Sequence, residues 1–153
     1  KYLNPLKTGD LMRIEKHIES LKEVIDEIEN ALKDPRGLKS HQRRLAMMLS
    51  IGICELIEIY FHKLNIMKGS SRIKHDWFRQ SRIKEVLANQ VICDINSVKN
   101  IDKVISVAKK IEDKRDDMAY GAPIKEELLL KEKINDFLEL KKIIESEVSD
   151  LIE

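Results

Sequence analysis

The feature that most constrains this chain is an aliphatic stripe near its start: Leu11, Ile14, Ile18, Leu21, Ile25, Ile28 and Leu32, at spacings of 3, 4, 3, 4, 3 and 4. A helix that turns once every ~3.6 residues lays such a repeat along one narrow face, whereas a strand would split it between two faces. Glu, Lys and Asp predominate on the remaining faces. The spacing predicts a first helix of the coiled-coil kind, capped by Thr8 or Asp10 and stopped by Asp34-Pro35-Arg36-Gly37. Proline cannot continue the helix, and glycine relaxes the backbone after it.

The same logic continues down the chain. Ser40 is positioned to cap a second helix running to about Met67, apolar around most of its circumference through Leu45, Met48, Leu49, Ile53, Leu56, Ile57, Tyr60, Phe61 and Leu64. A helix apolar all round belongs in the middle of a bundle, and Gly52 inside it points to close approach by a neighbour. Lys68-Gly69-Ser70-Ser71 ends it, and the segment from Arg72 to Phe78 reads as a loop whose Trp77 and Phe78 dock on the bundle. A short third helix is expected over Ser81 to Val91. Asp94, Asn96 or Ser97 then caps a fourth with a seam of Ile101, Val104, Ala108 and Ile111. After Gly121-Ala122-Pro123, with Pro123 at the first helical position, the last helix carries Leu130, Ile134, Phe137, Ile144, Val148 and Leu151. Residues 1–7 read as a lead-in and 8–153 as a single domain. The expected fold is all-α, an antiparallel four-helix-type bundle of long helices plus one short helix.

The charges exclude some functions. With 28 basic and 27 acidic residues the formal net charge is +1, so a globally basic nucleic-acid binder is not indicated, although a local patch is compatible with it. Cys54 and Cys93 lack any metal-ligand spacing and read as reduced, buried thiols, with no zinc site and no disulfide framework. No signal peptide or membrane span is read. The apolar stretch from Leu45 to Met67 is broken by Ser50, Gly52, Glu55, Glu58 and His62, and a cytoplasmic protein is expected. Lys, Glu and Ile are abundant, a composition like that of thermophilic and archaeal proteins. No glycine-rich phosphate loop, nucleophile elbow or HExxH motif occurs, and no cofactor is expected.

One segment breaks its own pattern, Lys114-Arg115-Asp116-Asp117-Met118-Ala119-Tyr120-Gly121. The fourth seam, continued by a step of four from Ile111, lands on Arg115. A guanidinium on a buried stripe needs an acceptor or an anion. Tyr120 follows at the gap before the last helix, and Asp116 and Asp117 add carboxylates. The alternative is a helix-end cation stabilised by the macrodipole, with Tyr120 as a packed anchor.

Long helix, long helix, short helix, helix and then Arg-Asp-x-x-x-Tyr-Gly at the mouth of the last helix resembles the HEPN superfamily (higher eukaryotes and prokaryotes nucleotide-binding domain). That resemblance implies a small helical bundle, commonly dimeric, with an Arg-polar-x(3 to 5)-His motif near the final helix. In active members two subunits build one metal-independent ribonuclease site, while others are toxins paired with nucleotidyltransferase-like antitoxins or are non-catalytic. Arg115 matches the motif arginine, Asp116 the polar residue after it, and Tyr120 occupies the histidine slot. A phenol with an ordinary pKa of about 10 is a poor base near neutrality, though it can still hydrogen-bond a phosphate. The resemblance therefore implies a homodimer that binds RNA or a nucleotide around Arg115 and Tyr120, a degenerate ribonuclease or a toxin-like partner of a nucleotidyltransferase. The balance leans against an enzyme. A non-catalytic helical interaction module is the alternative.

Other residues are candidates for that site or against it. His75, beside Asp76 and near Arg72, is placed to substitute for the missing motif histidine; the alternative is a loop pinned by Trp77 and Phe78. Arg43 and Arg44, with His41, Lys39 and Arg36, make a basic start to the second helix that can meet RNA or phosphate, although charged helix ends are common. Glu55, Glu58 and His62 share one helix face, but no Glu-x-x-His pair accompanies them, and the expectation is a polar stripe facing solvent or Arg115 with no metal.

Overall fold

The computed structural model describes the backbone of residues 8–149 and the side chains of residues 13–149. Helices dominate: α1 (Thr8–Lys33), α2 (Gln42–Lys63), α3 (Ile83–Ala88), α4 (Ile101–Glu112), α5 (Arg115–Tyr120) and α6 (Leu128–Val148), with 3-10 turns at Leu38–His41, His75–Arg79 and Ile95–Ser97. A single antiparallel bridge, Met67 to Val91, is the extended pairing among the described residues. The all-α class expected from the periodicity is the class observed.

Cross-helix pairs define the directions. His17 meets Glu55 and Glu27 meets Arg44, so α1 and α2 run antiparallel. Asn100 meets Glu147 while Lys133 meets Lys110, so α4 and α6 are antiparallel too. Lys39 contacts Glu127 and Gly52 contacts Phe137, which makes α2 and α6 parallel neighbours. An up-down-up-down square would hold that pair apart across its diagonal. Here α2 and α6 close on each other at the centre, and Gly52 permits it. A Cβ at Gly52 would lie 2.4 Å from Phe137 Cε1 and 3.0 Å from Val24 Cγ1. The close approach expected of Gly52 is what the packing needs.

Helix α2 is the central rod, buried through Leu45, Leu49, Ile53, Leu56, Ile57, Ile59, Tyr60 and Phe61. The stretch Leu38–Lys63 is long and apolar enough to cross a membrane by length and composition, and 78% of its apolar 18-residue window is buried within the fold. The cysteines are free thiols, Cys54 buried and Cys93 half-buried.

The structure corrects several boundaries. The α1 core face runs Ile14, Leu21, Val24, Ile28, Ala31; Ile18 and Ile25 lie half-buried at its edge and Leu32 is 53% exposed. Val24 lies against Gly52 of α2, its Cγ1 3.0 Å from where a Cβ on that glycine would stand. Leu11, Leu151 and the side chains of Thr8 and Asp10 fall outside the described set. Ser40 does not cap α2: its hydroxyl donates to Gly37 O inside a 3-10 turn, and α2 starts after His41. Helix α2 ends at Lys63, short of Met67, which is drawn into the bridge with Val91. The short helix occupies only Ile83–Ala88. Asp94 caps the 3-10 turn before α4, and α4 itself begins after left-handed Asn100. The last helix begins at Leu128, so Pro123 sits in the irregular segment before it. That segment is held by buried Gln42, whose amide donates to Met118 O and Ala122 O and accepts from Ile124 N–H.

Candidate functional site

The α4 seam is buried as expected through Ile101, Val104, Ala108 and Ile111, but it does not extend to Arg115. Helix α4 stops at Glu112, Lys114 adopts a left-handed conformation (φ 61°), and Arg115 opens a new short helix. The break is stabilised from outside. Buried Lys133, on α6, donates its ammonium to Lys110 O and, at 2.6 Å, to Asp113 O, satisfying carbonyls that the end of a helix leaves orphaned. Burial holds the Lys133 pKa below its usual value.

At this break a polar network closes over α2. Glu112 is 1% exposed, and its carboxylate accepts from Ser50 Oγ at 3.0 Å, His75 Nδ1 at 3.0 Å and Arg79 Nε at 2.8 Å. A buried carboxylate is tolerated only when its lone pairs are filled in this way. Arg79 then turns its outer nitrogens to Asp116, with Nη1 to Oδ2 at 3.0 Å and Nη2 to Oδ1 at 2.9 Å. Arg115 reaches the same carboxylate, Nη1 to Asp116 Oδ1 at 2.9 Å, while its Nε donates to Ser50 Oγ at 3.2 Å. The Arg115 guanidinium lies 5.6 Å from the centroid of the Tyr120 ring, within cation–π range, and that ring is 67% exposed. Hydrogen bonds from Arg115 first, then Arg79, hold the Asp116 carboxyl below the usual range.

Arg79, Glu112, Arg115 and Asp116 line a cleft of about 570 Å³ together with Phe78, Lys109, Lys110, Asp113, Lys114 and Asp117. Two guanidiniums converging on one exposed carboxylate form a site able to hold a tetrahedral oxyanion, because each guanidinium presents paired N–H donors.

Of the sequence candidates, Arg115, Asp116, Tyr120 and His75 come together. Arg43 sits behind them, donating to Ala119 O at 2.7 Å and Gly121 O at 3.1 Å, where it anchors the turn that carries Tyr120. Arg44 belongs elsewhere, against Glu27 at 3.3 Å, so the basic start of α2 is spent on internal contacts. Arg72 lines a different cleft, together with His17, Glu55, Glu58 and His62. Glu112, Ser50 and Arg79 are site residues the sequence reading missed. For Glu112 a signal existed: the steps of four from Val104 to Ala108 lead directly to it.

Glu58 and His62 are buried and face α1 rather than solvent or Arg115. Their partner is His17, which falls on the core-facing register of α1 between Ile14 and Leu21. The ligand atoms of His17, Glu58 and His62 all lie within 4.8 Å of one another. His17 Nδ1 bonds Glu55 Oε2 at 2.5 Å, and the His17 and His62 rings stack at 5.7 Å. Burial pushes the Glu58 carboxyl up; burial would lower His17, but Glu55 and Glu58 together leave it raised. No protein-family model, no curated protein and no solved structure matches the chain.

Proposed function

We propose that this helical bundle binds single-stranded RNA, or another phosphate ester, in the cleft where Arg79 and Arg115 converge. One observation carries the reading: Asp116 is held by both guanidiniums at once while remaining half in water. An exposed carboxylate in that position is an intramolecular stand-in for a phosphate, which offers the same two guanidiniums a more negative acceptor. Tyr120, open to solvent over Arg115, adds a face on which a base can stack.

This reading keeps the HEPN-like assignment, with Arg115 and Asp116 as motif residues and Tyr120 in the histidine slot. Binding without turnover is the activity proposed. His75, oriented by Glu112, is the imidazole of this network and the proton acceptor a metal-independent ribonuclease would use. A homodimer fits the reading, since Ile51 and Tyr120, next in sequence to Ser50 and within the Arg115 motif, are large exposed side chains. A nucleotidyltransferase-like protein is the partner class the same assignment adds.

The test is fluorescence anisotropy with a labelled single-stranded RNA, with strand length checked on a gel. Wild type is expected to bind and Arg115→Ala to bind about tenfold more weakly, the size of a charged hydrogen-bond pair. Equal affinities for the two proteins would contradict the reading. A second reading, a helical interaction module, is favoured by the edge of α1, where Ile18 and Ile25 are only half-buried and Leu32 is exposed. Light scattering showing association that Leu32→Lys abolishes, together with absent RNA binding, would select it.

A further inference from the structure

We propose that His17, Glu58 and His62 form a binding site for a divalent transition-metal ion of the zinc class, bridging α1 and α2. Two imidazoles and one carboxylate, with donor atoms all within 4.8 Å of one another, supply the nitrogen and oxygen ligands such ions select. Calcium and magnesium prefer all-oxygen sets, so the two histidines argue against them. Tetrahedral zinc, with Zn–N of about 2.0–2.1 Å, places neighbouring donors about 3.3 Å apart. The widest pair therefore closes by up to about 1.5 Å, within reach of small side-chain rotations across the α1–α2 seam.

The hydrogen bonding around the cluster prepares one ligand. Glu55 accepts from His17 Nδ1, which fixes the tautomer and leaves the Nε2 lone pair for a metal, 4.0 Å from Glu58 Oε1. Metal-binding histidines ordinarily hold their second nitrogen this way. Glu58 and His62 are buried, so they are already confined to the side of α2 that faces His17. A buried carboxylate is stabilised by a cation beside it, and a divalent ion supplies one.

Three protein ligands leave a fourth position open, and it opens onto a cleft of about 420 Å³ whose rim carries Arg13, Lys16 and Arg72. That basic rim fits an anionic fourth ligand, an oxyanion such as phosphate. This site is independent of the Arg115 cleft.

The experiment is calorimetric titration of chelator-treated protein with Zn²⁺, for wild type, His17→Gln, His62→Gln, Glu58→Gln, Glu55→Gln and, as a control, His41→Gln. Wild type is expected to bind one ion per chain. Each of the three ligand variants should weaken binding by more than tenfold, Glu55→Gln by about tenfold, and His41→Gln not at all. Absence of Zn²⁺ binding by wild type overturns the proposal, as does binding that survives His17→Gln and His62→Gln. Circular dichroism checks each variant's fold. Wild type loaded with Co²⁺ gives a readout that needs no variant: the intense visible absorption of a four-coordinate ion supports the site, and the weak bands of a hydrated ion contradict it. Added inorganic phosphate should shift that spectrum; an unchanged spectrum overturns the anionic fourth ligand.

Discussion

Arg79 and Asp116 form a two-pronged ion pair, Nη1 and Nη2 each within 3.0 Å of its own carboxylate oxygen, and Arg115 shares one of those oxygens. The pair ties the loop before α3 to the first turn of α5. Behind it Glu112 receives the remaining Arg79 donor, so one buried carboxylate and one exposed carboxylate together orient the guanidiniums at the cleft.

If Asp116 occupies the position of a bound anion, removing its charge frees the site. Asp116→Asn is expected to raise affinity for single-stranded RNA or inorganic phosphate by several-fold. Anisotropy and calorimetry check this, and a loss of affinity would mean that Asp116 orients the arginines more than it competes for them.

The same carboxylate gives a pH dependence. Its folded pKa lies below the ordinary 3.8, so its stabilising contribution is complete above that value and disappears as pH falls through the folded one. The difference in melting temperature between wild type and Asp116→Asn should be constant from about pH 5 to 8 and shrink below about pH 4. A difference that persists unchanged at about pH 2.5 would be inconsistent with the ion pairs seen here.

Glu112 has the structural role in this network. Glu112→Ala leaves Ser50, His75 and Arg79 without their shared acceptor. It should destabilise the fold by about 3 kcal/mol, the low end for breaking a buried pair, because Arg79 keeps Asp116 and partial access to water. Urea unfolding measures it. A change under 1 kcal/mol would show that the buried carboxylate is readily replaced.

Two packing devices have similar tests. Gly52→Ala places a methyl against Phe137 and Val24 and should cost about 1–3 kcal/mol. Lys133→Met keeps the volume but strands the Lys110 and Asp113 carbonyls, at a cost of about 1–3 kcal/mol. Because Lys133 also secures the break that starts α5, that variant should weaken RNA binding as well. Unaltered stability in either case would remove the corresponding contact from the account.

Much of this fold was legible in the residues. The 3–4 spacing revealed α1, the all-round apolarity of α2 marked it as central, and Gly52 pointed to a close helix contact. The register of α1 was harder to read, because the seam of Leu and Ile passed over the smaller Val24 and Ala31, which are buried, and included Leu32, which is exposed. The start of α6 was misplaced because Pro123 fits a helix start locally, while Gln42, distant in sequence, ties the end of α5 to the segment that follows it through Met118, Ala122 and Ile124.

The site was half legible. Arg115 stood out as a charge at the end of a buried stripe, but the helix break that aims it depends on Lys133, eighteen residues further on. His75 and Glu112 meet only in three dimensions. Glu55, Glu58 and His62 were visible as a face of α2, and their partner His17 was hidden by the aliphatic residues on either side of it.

The central claim is that Arg79 and Arg115 together grip a phosphate. The direct measurement is the dissociation constant of a short single-stranded RNA for wild type, Arg79→Ala, Arg115→Ala and Arg44→Ala at several salt concentrations. The account predicts about tenfold weaker binding for the first two variants, each with a salt slope shallower by about 0.7, as one phosphate contact on a single strand requires. It predicts wild-type behaviour for Arg44→Ala, whose guanidinium faces Glu27. Unchanged affinity in both Arg79→Ala and Arg115→Ala, or an equal loss in Arg44→Ala, would contradict it.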